Sequence, residues 1–95
     1  MYKMIIGEVL GNVWATRKDE NLNGLKFLVI RPIDYYSNKE FPTFVAVDSI
    51  GAGIGETVLI VQGSSARVSV GNNNVPVDAT IVGIIDTVEV EKSLE

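Results

Sequence analysis

The residues most suggestive of chemistry lie between Asp48 and Arg67, where the chain reads DSIGAGIGETVLIVQGSSAR. Glycines alternate at Gly51, Gly53 and Gly55, and a glycine-dense loop after a strand can cradle a phosphate through its backbone amides. A dinucleotide fingerprint, however, needs G-x-G-x-x-G followed by a helix whose N-terminus faces the pyrophosphate. Here the spacing is G-x-G-x-G, no lysine follows to complete a P-loop, and the next residues, Thr57–Val61, form an apolar and mostly β-branched run. Such a run favours a strand over a helix. The loop is therefore read as a tight, hairpin-like connection between strands.

Other routes to catalysis are equally thin. The chain holds no histidine and no cysteine, which removes the usual general base, the thiolate nucleophile and most zinc ligands. Ser64 and Ser65 lie in a turn, but a serine nucleophile needs a base, and no lysine is placed by a motif to supply one. Asp48, Glu56, Asp78 and Asp86 flank the glycine loops and apolar runs, where carboxylates usually satisfy backbone donors or arginines. Arg67 is the one cation between Lys39 and Lys92. Its guanidinium suits a bidentate carboxylate contact, so a pair with Asp48, Asp78 or Asp86 is expected, within the chain or across to a neighbouring copy. No enzymatic activity, cofactor or metal is expected.

The elements that position these residues follow from periodicity. Met4–Ala15 is strand-like, with Gly7 and Gly11 as candidate bulges or bends and Trp14 as a core or interface anchor. Thr16–Gly24 is a charged, solvated loop. Lys26–Ile33 is the second strand, ending near Pro32, and Asp34–Pro42 is a polar connection whose Tyr35, Tyr36 and Phe41 are read as a lid on a barrel end. Val45 and Val47 alternate with Ala46 and Asp48 as a third strand. Thr57–Val61 is a fourth, apolar enough to be covered on both faces. Gly63 breaks it, and Ser64 or Ser65 can cap a short helical turn that carries Arg67. Val68–Val77 holds three consecutive asparagines, a turn signal. Asp78–Val90 is the last long strand, with Gly83 as a possible bend, and the charged tail follows. The expected fold is all-β, a five-stranded OB-like β-barrel with one short helix after the fourth strand.

With 95 residues the chain is expected to form a single domain over residues 1–95. A domain of this size buries only roughly 60–65% of its unfolded surface. Yet 46% of the residues are hydrophobic and the mean hydropathy is +0.25, more apolar material than a small barrel easily hides. Either a tightly filled core or burial between subunits accounts for the surplus, and the second is favoured. The net charge of −4 opposes a polyanionic partner, the absence of cysteine gives no disulfide framework, and no stretch approaches the length of a membrane span. A soluble intracellular protein is expected, with no nucleic acid and no membrane as partner.

Three blocks in order, Asp48–Leu59 (DSIGAGIGETVL), Gly63–Arg67 (GSSAR) and Pro76–Asp86 (PVDATIVGIID), with N-terminal elements at Gly11–Thr16 and Leu22–Leu28, resemble the bacterial microcompartment vertex proteins of the EutN/CcmL type. The resemblance covers almost the whole chain. It implies an OB-like barrel that forms a homopentamer, sits beside hexameric shell proteins and caps the vertices of a polyhedral shell in the cytoplasm. The structural and interface candidates are then Asp48, Gly51, Gly53, Gly55, Glu56, Ser64, Ser65, Arg67, Asp78 and Asp86. The competing expectation is an OB-fold module that binds single-stranded nucleic acid, which requires a basic groove with exposed aromatics.

Overall fold

The computed structural model describes residues 2–14, 24–37, 39–63 and 78–89. Five strands account for most of them: β1 (Tyr2–Val13), β2 (Lys26–Pro32), β3 (Phe44–Asp48), β4 (Thr57–Gly63) and β5 (Ala79–Ile85). No helix occurs among the described residues. The short helix expected after Gly63 falls outside them, as do Ser64, Ser65, Arg67 and the asparagine turn.

The strands close on themselves in the order β1-β2-β3-β5-β4. Closure depends on β1, which serves two neighbours. Its first half pairs antiparallel with β4, from Tyr2↔Gly63 to Glu8↔Thr57, and its second half with β2, from Gly7↔Pro32 to Val13↔Phe27. The β1–β2 register shifts between Val9 and Gly11, so Leu10 is the extra residue of a bulge, the device by which a strand bends to turn a corner. Gly7, also expected as a bend, has a different role. A Cβ there would lie 2.5 Å from Ile30 Cγ2 and 3.0 Å from the Arg31 carbonyl oxygen, so this position admits only a hydrogen where β1 and β2 cross the core. The β4–β5 register shifts between Leu59 and Ile60, placing a second bulge at Val82, beside the expected bend at Gly83.

β5 lies between β3 and β4. It pairs antiparallel with β4 along its length but parallel with β3 only at Val47↔Thr80 and Asp48↔Ile81. This order corrects the hairpin-like reading of the glycine loop: β3 and β4 are not neighbours, and the loop joining them must pass β5.

Side chains alternate as the pleat requires. Val9, Leu28, Ile30, Ala46, Val58, Ile60 and Ile81 are fully buried and form one core, joined by Ala52 from the glycine loop and packed by Phe44. Each large aliphatic side chain contributes about 1.5–3 kcal/mol by leaving water. β4 is less enclosed than its composition suggested: Val58, Ile60 and Val61 are buried, while Thr57 and Leu59 are only half-buried in the single subunit. Trp14 is 90% exposed and so is no core anchor. Tyr36, Phe41, Met4, Ile50 and Ile54 are likewise exposed, which leaves the apolar surplus of the sequence on the surface of the isolated subunit.

Candidate functional site

The glycine loop is organised by Asp48. This residue ends β3 with its side chain fully buried, and its carboxylate collects the backbone that follows. Oδ1 accepts hydrogen bonds from the Ile50 amide at 3.0 Å and the Gly51 amide at 3.2 Å, and Oδ2 accepts from the buried Ala52 amide at 2.8 Å. Lys26, opposite Asp48 in the β2–β3 register, places Nζ 3.9 Å from Oδ2 and donates to the Ala52 carbonyl at 3.1 Å. A buried carboxylate is tolerated only with such partners. Glu56 repeats the pattern at the far end of the loop, its Oε1 accepting from the Gly53 amide at 2.6 Å.

These bonds decide what the loop can do. A phosphate cradle needs amides aimed at an open concavity. Here the amides of residues 50 to 53 are all taken by carboxylates of the same chain. Gly51 and Gly55 have φ of 95° and 91°, a region that favours glycine; Gly53 has no such φ, and its place is set by the Glu56 contact. The loop is then fastened to β1 at the bulge: the Gly55 amide donates to the Val9 carbonyl at 2.8 Å and the Val9 amide to the Glu56 carbonyl at 3.0 Å. The arrangement is a rigid plug over one end of the ring, carrying exposed Ile50 and Ile54 on its outer side.

Of the residues singled out by sequence, the structure thus brings Asp48, Gly51, Gly53, Gly55 and Glu56 together. Asp78 and Asp86 are exposed at the two ends of β5 and do not join them; the Asp78 carbonyl accepts the Gly63 amide at 2.9 Å. Ser64, Ser65 and Arg67 lie outside the described residues, and the described cation of Asp48 is Lys26. Sequence reading passed over Lys26, although it opens β2 where Asp48 closes β3, and opposite charges at matching ends of successive strands are a signal of antiparallel pairing. The other described ion pair, Arg31 with Glu8, is a surface contact across the β1–β2 register. No cluster of His, Cys, Asp and Glu able to hold a metal occurs among the described residues, and no helix there is long and apolar enough to cross a membrane.

A second feature lies at the other end of the ring. Tyr35, Tyr36 and Phe41 do not seal the barrel as a lid. With Met4, Ile6 and Phe44 they wall an open-sided apolar groove of about 550 Å³. Asp34 borders it, but its carboxylate is engaged by its own turn, accepting from the Tyr36 amide at 3.0 Å, the Ser37 amide at 3.1 Å and the Ser37 hydroxyl.

Residues 4–86 match the family described as ethanolamine utilisation protein EutN/carboxysome. The chain belongs to the EutN/CcmL family. It is 45% identical over 86 residues to the bacterial microcompartment shell vertex protein GrpN of Rhodospirillum rubrum, covering 90% of this chain and 97% of that one. To the carboxysome shell vertex protein CcmL of Nostoc it is 47% identical over 92 residues, covering 96% and 91%. The structure of GrpN, a pentameric microcompartment shell protein, superposes with a TM-score of 0.81 at 41% identity, covering 92% of this chain and 99% of that chain. These EutN/CcmL relatives are shell proteins rather than enzymes, in line with the poor catalytic inventory of the sequence.

Proposed function

We propose that this chain is a structural shell protein of a bacterial microcompartment, assembling as a homopentamer of OB-like barrels that caps the vertices of the shell in the cytoplasm. The observation that carries the reading is the match to pentameric GrpN over nearly the full length of both chains. The closed strand order with β5 between β3 and β4 suits an OB-like barrel. The physical role is geometric. A sheet of six-fold tiles stays flat, and five-fold tiles introduce the curvature that closes it, so hexameric shell proteins are the expected neighbours. The net charge of −4 weighs against single-stranded nucleic acid as the partner.

Size-exclusion chromatography with light scattering tests the assembly: a mass of five subunits is expected, and a monomer at micromolar concentration overturns it. Co-expression with hexameric shell proteins tests the placement. Closed polyhedra are expected with the chain present, and open sheets or tubes without it.

A further inference from the structure

We infer that the Lys26–Asp48 pair is a latch that holds the glycine plug and the β3–β5 seam shut together, so that both open as one unit when the pair is broken. The inference concerns the single subunit and is independent of how copies assemble.

Asp48 ends three structures at once. It makes the last pair of the β2–β3 ladder, opposite Lys26, and the last pair between β3 and β5, opposite Ile81. Its carboxylate also accepts the amides of Ile50, Gly51 and Ala52, which hold the start of the plug. Ladders open from their ends, at a free energy well below that of global unfolding. The seam is short: β5 meets β3 only at Val47↔Thr80 and Asp48↔Ile81, whereas it follows β4 from Thr57↔Ile85 to Gln62↔Ala79. Whatever frees Asp48 therefore frees half of the seam.

Lys26 spans this junction. Its Nζ lies 3.9 Å from Asp48 Oδ2 and donates to the Ala52 carbonyl at 3.1 Å, so one ammonium ties the end of β3 to the middle of the loop. The Lys26 side chain is half exposed, and that of Asp48 is fully buried. A buried carboxylate deprived of its cation is costly, and turning it out to water relieves the cost. That movement withdraws the acceptor from the loop amides and the closing residue from the seam in one step. The Glu56 carboxylate, by contrast, is exposed and accepts from the Gly53 amide at 2.6 Å, on the part of the loop that is fastened to Val9 of β1.

Hydrogen–deuterium exchange read by mass spectrometry on the full chain tests the latch, with light scattering used to match the assembled mass of the samples compared. In Lys26→Met, residues 44–52 and 79–81 are expected to exchange faster by a common factor, roughly three- to tenfold for a half-exposed cation. Residues 2–8, in the β1–β4 ladder, are expected to keep their rate. Lys26→Arg retains the charge and is expected to keep the protection of the unmutated chain; exchange as fast as in Lys26→Met overturns the ionic latch. Glu56→Ala is expected to leave residues 79–81 unchanged, and a rise there assigns the coupling to the whole loop and overturns its assignment to the pair. Faster exchange in the loop with residues 79–81 unmoved overturns the coupling. So does an equal rise that includes residues 2–8, which is global destabilisation. Should Lys26→Met lose its thermal transition by circular dichroism, Lys26→Gln, which drops the charge and keeps a donor, carries the same readout.

Discussion

Asp48 shows how one side chain can take over the role a bound anion plays elsewhere. Three successive amides converge on its carboxylate and Lys26 faces it from the next strand. Removing it strands the Ala52 amide in the core, and an unsatisfied buried donor costs about 1–3 kcal/mol. Asp48→Ala is therefore expected to lower the unfolding free energy by at least that much. Asp48→Asn, which keeps one acceptor oxygen, should fall between the two. Urea denaturation at one fixed protein concentration measures the order, since assembly makes apparent stability concentration-dependent. Asp34 is the second residue of this type. Its hydrogen bond from the Ser37 hydroxyl, then those from the Ser37 and Tyr36 amides, hold its carboxyl below the ordinary value of 3.8. A depressed folded value stabilises the turn above the unfolded pKa and loses that stabilisation as pH falls through the folded one. The loop from Asp34 to Ser37 is thus expected to keep its order at pH 5 and loosen only below about 3.8, which an NMR titration of the Asp34 carboxyl reads directly; a midpoint above 3.8 contradicts it.

Among the elements, β1 carries the most constraint, because it closes the ring on both sides. Its two glycines look alike in the sequence and differ in the fold. A methyl group at Gly7 meets the Ile30 side chain and the Arg31 backbone, whereas at Gly11 it meets nothing within 4 Å. Overpacking of this kind costs about 1–3 kcal/mol. Gly7→Ala is expected to be destabilising by that amount and Gly11→Ala close to neutral, again by urea midpoint. The five strands themselves were legible, because alternation in Leu28 and Ile30 and the β-branched run at Thr57–Val61 leave little choice of secondary structure. The glycine loop was legible as a turn but not as a crossover. Hydrophobic periodicity places residues on a face and says nothing of which strand lies beside which, so the insertion of β5 between β3 and β4 had no local signature. Asp48 was singled out for its place at a strand end, yet its partner depended on register, and the choice between core and interface for Trp14 stayed open because a lone aromatic looks the same whether it faces the core or the solvent; its exposure rules out only the core.

For the whole molecule, the contrast between a well-filled interior and an exterior studded with Trp14, Ile54, Met4 and Phe41 fits a subunit designed to be surrounded. Its integrity depends on the last strand. The β3–β5 seam has only the pairs Val47↔Thr80 and Asp48↔Ile81, while β5 covers β4 along its length and delivers Ala79 and Ile81 to the core. A chain stopped after Asp78 is expected to show no cooperative thermal transition by circular dichroism, since two strand edges and one wall of the core are left open.

The same placement of β5 sets the timetable of synthesis. β3 and β4 leave the ribosome before the strand that must slide between them, so no nascent fragment lacking β5 can close the circle ahead of time. Until then the edges are open to wrong pairings with other chains. A cell making many copies at once therefore runs its greatest risk of aggregation in the interval before β5 emerges.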